Sequence, residues 1–331
     1  MKIFFLEKSI PFNSLDLNSF KIGGAEKILI NISNELAKYK NLEIKVFNNV
    51  EKRQLINNVE WVNINDYDYQ IEPDILIAFS DSNLFKNYKS KNKFLWSHSV
   101  QNLEKFIRKK QLISYLKHKP VLILEGDYHF NTRPFLTSFF GKRILKLAPD
   151  YEFINESVDI DFFPEKECIF LTKSDRNLEI LLKAWNEIYK SNNNAKLYIN
   201  PPFKLSEAQT KQNIFLRVKG NKKNLINDLK NSRVMLVPGH KGEVYCLAAE
   251  EARELCIPIV TLGYGSLNER VIHKKTGFIA KDIHEFINYS IKLLNDDELY
   301  LQIRKNLLKL RNTRNYSHVA SDLLKIININ G

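Results

Sequence analysis

The sequence predicts an α/β protein made of two Rossmann-like, doubly wound parallel-sheet domains, and three observations support this. Its 331 residues exceed one ordinary domain and suit two of the usual size. Short apolar runs of strand length alternate with segments of helical periodicity, as in a parallel sheet with helices on both faces. The alternation occurs twice, on either side of the charged, proline-ended interval Ser157-Val-Asp-Ile-Asp-Phe-Phe-Pro164. Domains are therefore expected at 1–157 and 158–313, followed by a helix at about 314–331.

In the first run, strands are expected at Lys2–Leu6, Leu42–Asn48, Asp74–Phe79, Lys93–Trp96 and Pro120–Leu124. Between the first two, Ala25–Lys40 places Ala25, Ile28, Leu29, Ile32 and Leu36 at helical spacing, and Gln101–Lys117 reads as a second helix. In the second run, strands are expected at Glu167–Leu171, Lys196–Ile199, Ile214–Val218, Val234–Val237 and Ile257–Thr261. Helices are expected at Asn177–Tyr189, Lys223–Lys230, Leu247–Leu255 and His284–Leu294, and Asp296–Ile329 is helical in pattern. Ligands of such sheets bind beyond the carboxyl ends of the strands.

Composition narrows the function classes. The chain is 44% apolar and 27% charged, and it lacks an apolar run near the roughly 18 residues of a membrane span. Its start, Met1-Lys-Ile-Phe-Phe-Leu-Glu7, reaches a charge too soon for a signal peptide, so a cytoplasmic protein is expected. Cys168, Cys246 and Cys256 are scattered and odd in number, which argues against a disulfide framework or metal knuckle. Of the net charge of +12, the segment 86–146 supplies +11. Such a patch expects an anionic partner, whether lipid headgroups at the inner face of a membrane, an acidic acceptor or nucleic acid. The alternative is a Lys-rich surface in a chain also biased towards Asn and Ile.

Glu243-Val-Tyr-Cys-Leu-Ala-Ala-Glu-Glu251 sets two carboxylates at either end of a loop that enters a helix. The backbone N–H groups of Val244, Tyr245, Cys246 and Leu247 would suit a diphosphate, and Glu243 and Glu251 could accept hydrogen bonds from sugar hydroxyls. Locally, a Glu pair on a helix is also consistent with a solvated face. Gly23-Gly24 precedes the first amphipathic helix and permits close ligand approach or positive φ. His98 follows a predicted strand, where an imidazole could donate to an oxygen as charge develops. Lys173 and Arg176 lie between the first strand and first helix of the second run. An exposed basic loop is the simpler account of that pair.

Taken together, these segments resemble the retaining glycosyltransferases of the GT-B fold, family 4 (glycosyl transferases group 1). The match runs through Gly23-Gly24-Ala25-Glu26, Val158-Asp159 with Phe162 and Pro164, the Glu243–Glu251 loop with Pro258-Ile-Val, and Thr276-Gly277-Phe278. The resemblance implies two domains facing an interdomain cleft, with the terminal helix crossing back onto the first. It also implies transfer of a hexosyl group from a nucleotide diphosphate sugar, a UDP-sugar, to a glycan, lipid-linked or other acceptor. Glu251 would then hold the ribose and Glu243 the sugar hydroxyls, while Lys173 and Arg176 neutralise the diphosphate and His98 contacts the donor. Gly220, Pro238 and His240 would lie in loops around the nucleoside. No metal or other cofactor is implied, and attack on the same face, assisted by the leaving phosphate, would retain configuration.

The chain departs from the family pattern in three places. Lys173 precedes Arg176 in a shortened interval, and Cys246 and Cys256 stand where glycine is usual. Two other functions fit the same residues: a glycosyltransferase acting on nucleic acid, suggested by the basic segment, and a catalytically silent GT-B binding subunit. A dinucleotide-binding protein is disfavoured because no Gly-x-Gly-x-x-Gly follows the first strand.

Overall fold

The two apolar runs build two separate sheets, one in each of two units: Met1–Leu147 with Tyr316–Gly331, and Ala148–Asn315. The computed structural model describes all residues except 20, 69, 174, 201–203, 219 and 329–331, and only the backbone at 105, 136 and 138.

The first unit contains β1 (Lys2–Leu6), β2 (Glu43–Asn48), β3 (Gln54–Ile56), β4 (Val59–Asn63), β5 (Ile75–Phe79), β6 (Asn92–Trp96), β7 (Val121–Leu124) and β8 (Lys142–Ile144). They form one sheet in the order β3-β4-β2-β1-β5-β6-β7-β8, parallel except at β3/β4. Its helices are α1 (Gly24–Leu36), α2 (Leu103–Arg108), α3 (Leu112–His118) and α4 (Asp127–Asn131). All five residues of β5 are buried, as expected for a strand covered on both faces. The β3–β4 hairpin was not anticipated, although its turn residues Asn57 and Asn58, both at positive φ, are a two-residue hairpin signal.

The expected helix Gln101–Lys117 is instead two helices, α2 and α3. Lys110 adopts φ 53°, Lys110 N donates to Ile107 O at 2.9 Å and Gln111 N to Phe106 O at 2.9 Å. This is the left-handed helix stop that glycine usually marks. Lysine in that place conceals the break from a sequence pattern.

The second unit contains β9 (Glu167–Phe170), β10 (Lys196–Ile199), β11 (Ile214–Leu216), β12 (Val234–Leu236), β13 (Ile259–Thr261) and β14 (Gly277–Ile279). All are parallel, in the order β11-β10-β9-β12-β13-β14. Counted within the unit this is 3-2-1-4-5-6, the doubly wound order. The helices are α5 (Tyr151–Ile154), α6 (Leu178–Ser191), α7 (Glu207–Thr210), α8 (Lys222–Asn231), α9 (Leu247–Glu254), α10 (Leu267–Arg270), α11 (Ile283–Asn295) and α12 (Asp297–Leu308). Strand alternation sorts the core into two layers. Phe170, Val234 and Leu236 join Trp185 of α6 and Phe286 of α11, whereas Ile169, Met235 and Val237 join Leu229 of α8 and Ala252 of α9.

The unit boundary lies ahead of the expected 157/158 because the intervening segment is fastened to the second unit. Phe153 enters its core, and buried Lys222 of α8 reaches Asp150 at 2.8 Å and Glu152 at 3.0 Å. Arg304 of α12 donates to the carbonyls of Asp159 and Ile160 at 2.8 and 2.9 Å, so the charged interval after Ser157 is held as well. The helical pattern over Asp296–Ile329 divides at Asn312, which has φ 56°. Beyond it α13 (Tyr316–Ile327) packs on α1 in the first unit, and Ile329 lies outside the described residues.

Cys256 repeats the Lys110 device after α9. It has φ 56°, its N–H bonds to Arg253 O at 3.0 Å, and Ile257 N bonds to Ala252 O at 2.9 Å. Cys256→Gly should therefore be more stable than Cys256→Ala by about 1 kcal/mol, since both lose the thiol and only glycine relieves the left-handed backbone. Urea unfolding of the two variants tests this. Equal midpoints would show that the backbone there carries no strain.

Candidate functional site

In the second sheet the winding reverses between β9 and β12, so the loops leaving these strands diverge and open a crevice at their carboxyl ends. Residues 171–177 leave β9 and residues 237–246 leave β12, and most second-unit candidates lie on these loops. Arg176 Nη1 donates to His240 Nδ1 at 2.8 Å, and Asn177 Nδ2 donates to Gly239 O at 2.6 Å. Gly242 N also donates to His240 Nδ1, at 2.9 Å. With two donors on Nδ1, the neutral ring carries its proton on Nε2. A Cβ at Gly242 would lie 2.5 Å from Arg176 Nη1, so a side chain there would displace the guanidinium from its place beside His240.

Glu243 sits in the second of these loops. Its N–H bonds to His240 O at 2.9 Å, and its carbonyl accepts from Ser266 N at 3.0 Å. Gly265, at φ 73°, makes room, because a Cβ there would approach Glu243 O to 2.8 Å. Glu243 Oε2 is buried and has no hydrogen-bond partner. Burial raises its carboxyl above the usual value, against the lowering effects of the Cys246 thiol hydrogen bond and the charge of Arg176; nearby Asp175 raises it further, and Lys173 lowers it. A buried acceptor left unpaired is costly in a folded protein, which makes this oxygen the most conspicuous feature of the site.

Cys246 has φ 61° and caps α9 without a side-chain bond to the helix. The left-handed backbone accounts for the glycine usual at this place. The thiol is buried and bonds to Glu243, and burial first, then Glu243, hold it well above its ordinary pKa. The first turn of α9 thus keeps N–H groups that no N-cap side chain occupies. Val244 and Tyr245 are buried, Leu247 is half-buried, and Glu251 is half-buried on α9 itself. Pro238 anchors the start of the β12 loop, where its carbonyl accepts from Leu262 N at 3.1 Å.

The sequence reading missed a second layer beneath this loop. Arg270 Nε donates to Tyr245 O at 2.9 Å, its guanidinium lies 3.9 Å from the Tyr245 ring centroid, and Nη1 pairs with buried Glu250 at 3.0 Å. Arg253 also pairs with Glu250, three residues before it on α9. The Glu250/Arg253 spacing was visible as a helical ion pair. Arg270 carried no sequence signal, because only the fold brings α10 beneath the loop. Gly220 stays apart from this group: it follows the edge strand β11, with β10 between that strand and β9, and the adjoining Lys219 lies outside the described residues.

The remaining candidates belong to the first unit. Gly23 has φ −90°, so it does not use the positive φ open to glycine. Its N–H donates to Glu26 Oε2 at 3.0 Å, and a Cβ would come within 2.8 Å of that oxygen. Glu26 thus brings its own anion to the start of α1, where Gly24 is the first residue. His98 follows β6. Its Nδ1 is 2.5 Å from Oε1 of buried Glu125, which follows β7, and its ring stacks on Trp96. Because the Glu125 carboxylate accepts, Nδ1 carries the proton, and Nε2 is buried without a partner. Glu125 was not anticipated, since parallel pairing alone places it beside His98.

Residues 171–309 match a family model described as glycosyl transferases group 1. No curated protein matches the chain in sequence. Among solved structures, HepE from Anabaena, crystallised with UDP-glucose, has a TM-score of 0.70 at 13% identity, over 99% of this chain and 100% of that one. Sucrose-phosphate synthase from Thermosynechococcus elongatus has a TM-score of 0.68 at 11% identity, over 98% of each chain. A TarM variant from S. aureus, crystallised with UDP among other ligands, has a TM-score of 0.58 at 15% identity, over 77% of this chain. The chain spans about half of TarM, 55% of its length. At these identities the likeness is one of fold. The chain has the GT-B fold, two parallel-sheet α/β domains, and its residues 171–309 carry the sequence pattern of the glycosyl transferases group 1.

Proposed function

We propose that the protein is a retaining glycosyltransferase of family 4 that transfers a hexosyl group from a UDP-sugar to a glycan or lipid-linked acceptor. The observation that carries this proposal is the buried, unpartnered Oε2 of Glu243, set on a loop bound to Arg176 through His240. A carboxylate so held suits a sugar hydroxyl, which would provide the missing hydrogen-bond donor. Arg176 and Lys173 supply positive charge for the diphosphate, the open first turn of α9 adds N–H groups, and Glu251 takes the ribose. UDP is favoured because HepE and TarM were crystallised with it.

In the first unit, His98 would use Nε2 to hydrogen-bond a donor oxygen, while Glu125 fixes the ring. Among the described residues of these loops no side chain is assigned as a nucleophile, and in this scheme the departing phosphate assists attack from its own face. Protein cations take the place of a metal in this scheme. The free, buried cysteines 168, 246 and 256 suit a reducing cytoplasm, and the charge of 86–146 suits an acidic or lipid-linked acceptor at the inner face of a membrane.

A panel of UDP-, GDP- and ADP-sugars tests the proposal by thermal shift and by release of nucleotide. A UDP-sugar at a hundred times its Kd should stabilise the protein by about 2.7 kcal/mol, and transfer should survive EDTA. If no nucleotide sugar shifts the melting temperature or is consumed, the proposal fails.

A further inference from the structure

Three short segments of the first unit each bury an aromatic anchor and expose a pair of large apolar side chains. In α2, Phe106 packs on Tyr115 with centroids 5.1 Å apart, while Leu103 and Ile107 stay 45% and 59% exposed. In α3, Tyr115 is itself buried, whereas Ile113 and Leu116 are exposed. The 3-10 turn Phe135–Phe139 ends at Phe140, which meets Tyr115 edge-on at 4.4 Å. Its Phe135 and Phe139 are 80% and 74% exposed and touch each other edge-to-face at 5.5 Å. Tyr115 thus gathers α2, α3 and the turn, and six large apolar side chains of these elements remain uncovered. Scattered apolar residues are ordinary on a surface, but a cluster gathered on one anchor marks a contact face.

The charges on the same elements indicate the partner. Arg108, Lys109 and Lys110 close α2, and Lys117 and Lys119 close α3. Among the described residues no carboxylate forms an ion pair with any of these five. One of the five is felt locally: His118 is held below its ordinary pKa by burial first, then by Lys93 outside this set, and then by Lys117. An apolar protein partner would leave these cations unmatched, and a nucleic acid would leave the phenylalanines in water. An anionic bilayer satisfies both, with apolar side chains at the acyl boundary and cations among the headgroups. Among the described residues no helix is long and apolar enough to cross a membrane, so such contact would lie in the plane of the interface.

We propose that Leu103, Ile107, Ile113, Leu116, Phe135 and Phe139, framed by Arg108–Lys110, Lys117 and Lys119, form a face that inserts into the interface of an anionic membrane. It goes beyond the donor chemistry proposed above and does not depend on it. The test is co-sedimentation of the full chain with phosphatidylcholine vesicles, with and without a minor fraction of phosphatidylglycerol. The wild type should pellet only with the anionic vesicles. Phe135→Ser/Phe139→Ser and Lys109→Glu/Lys110→Glu should each lower the partition about tenfold or more. Both variants should keep the wild-type melting temperature and nucleotide-induced shift, so loss of vesicle binding is separable from failure of the donor site.

Three outcomes would overturn the proposal. One is no sedimentation of the wild type with anionic vesicles. Another is equal partition of the Phe variant, which would reduce the contact to charge alone. The last is a patch that governs self-association of the chain and not vesicle binding.

Discussion

Glu243→Gln should lose most of its transfer activity while making the unliganded protein more stable at neutral pH. On the activity side, the charge-assisted hydrogen bond proposed between Oε2 and a sugar hydroxyl, worth about 1.5–3 kcal/mol, is lost, so kcat/KM should fall about tenfold to a hundredfold. On the stability side, burial holds the folded-state carboxyl above its ordinary value of 4.5. A carboxyl raised in this way binds its proton more tightly folded than unfolded. Its effect therefore favours folding below 4.5 and becomes a cost as pH rises through the folded pKa. Glutamine removes that cost, so the variant should melt above the wild type near pH 7, with the gap closing as pH falls towards 4.5. Melting curves across this range, with assays of nucleotide release, test both arms. A variant that melts lower near neutral pH would show Glu243 to be a structural carboxylate with a partner.

Lys222→Met should be the most destabilising of the single substitutions considered. The side chain of Lys222 is 4% exposed and that of Asp150 6%, with Nζ 2.8 Å from Asp150 and 3.0 Å from Glu152. Burial alone would lower the lysine pKa, yet Asp150 and Glu152 hold it above the usual value. Removing the ammonium takes from the buried Asp150 carboxylate its Lys222 counter-charge, at a cost of about 3–5 kcal/mol. Adding Asp150→Asn should recover a large part of that loss, because the carboxylate charge goes with it. Urea unfolding of the wild type, the single variant and the double variant decides the matter. A loss below about 1 kcal/mol would mean that water reaches the pair.

The two sheets were legible because their strands are apolar runs and α1, α6, α8 and α11 keep one apolar face each. What escaped were features that depend on local backbone. With 11 glycines in 331 residues, many left-handed positions fall to Asn, Lys and Cys. Helix stops at Lys110, Cys256 and Asn312 therefore lack their usual mark. The interval Ser157–Pro164 looked like a domain junction by composition, but bonds from Lys222 and Arg304 tie it and its surroundings to the second unit. Such bonds join residues far apart in the chain, and no local window contains them.

The same division runs through the candidate site. Glu243, Arg176, His240 and Cys246 were identifiable because residue types suited to sugar and phosphate stand in a recognisable order along the chain. Sequence by itself determined the doubly wound fold, the candidate loops and the residue types on them, since periodicity and short motifs are local properties. Tertiary structure alone decided that Arg176 meets His240, that Glu243 Oε2 is left unpartnered, that Arg270 and Glu250 brace the loop, and that Glu125 orients His98. Each follows from parallel strands laying their carboxyl-end loops side by side, an adjacency set by strand order and not by distance along the chain.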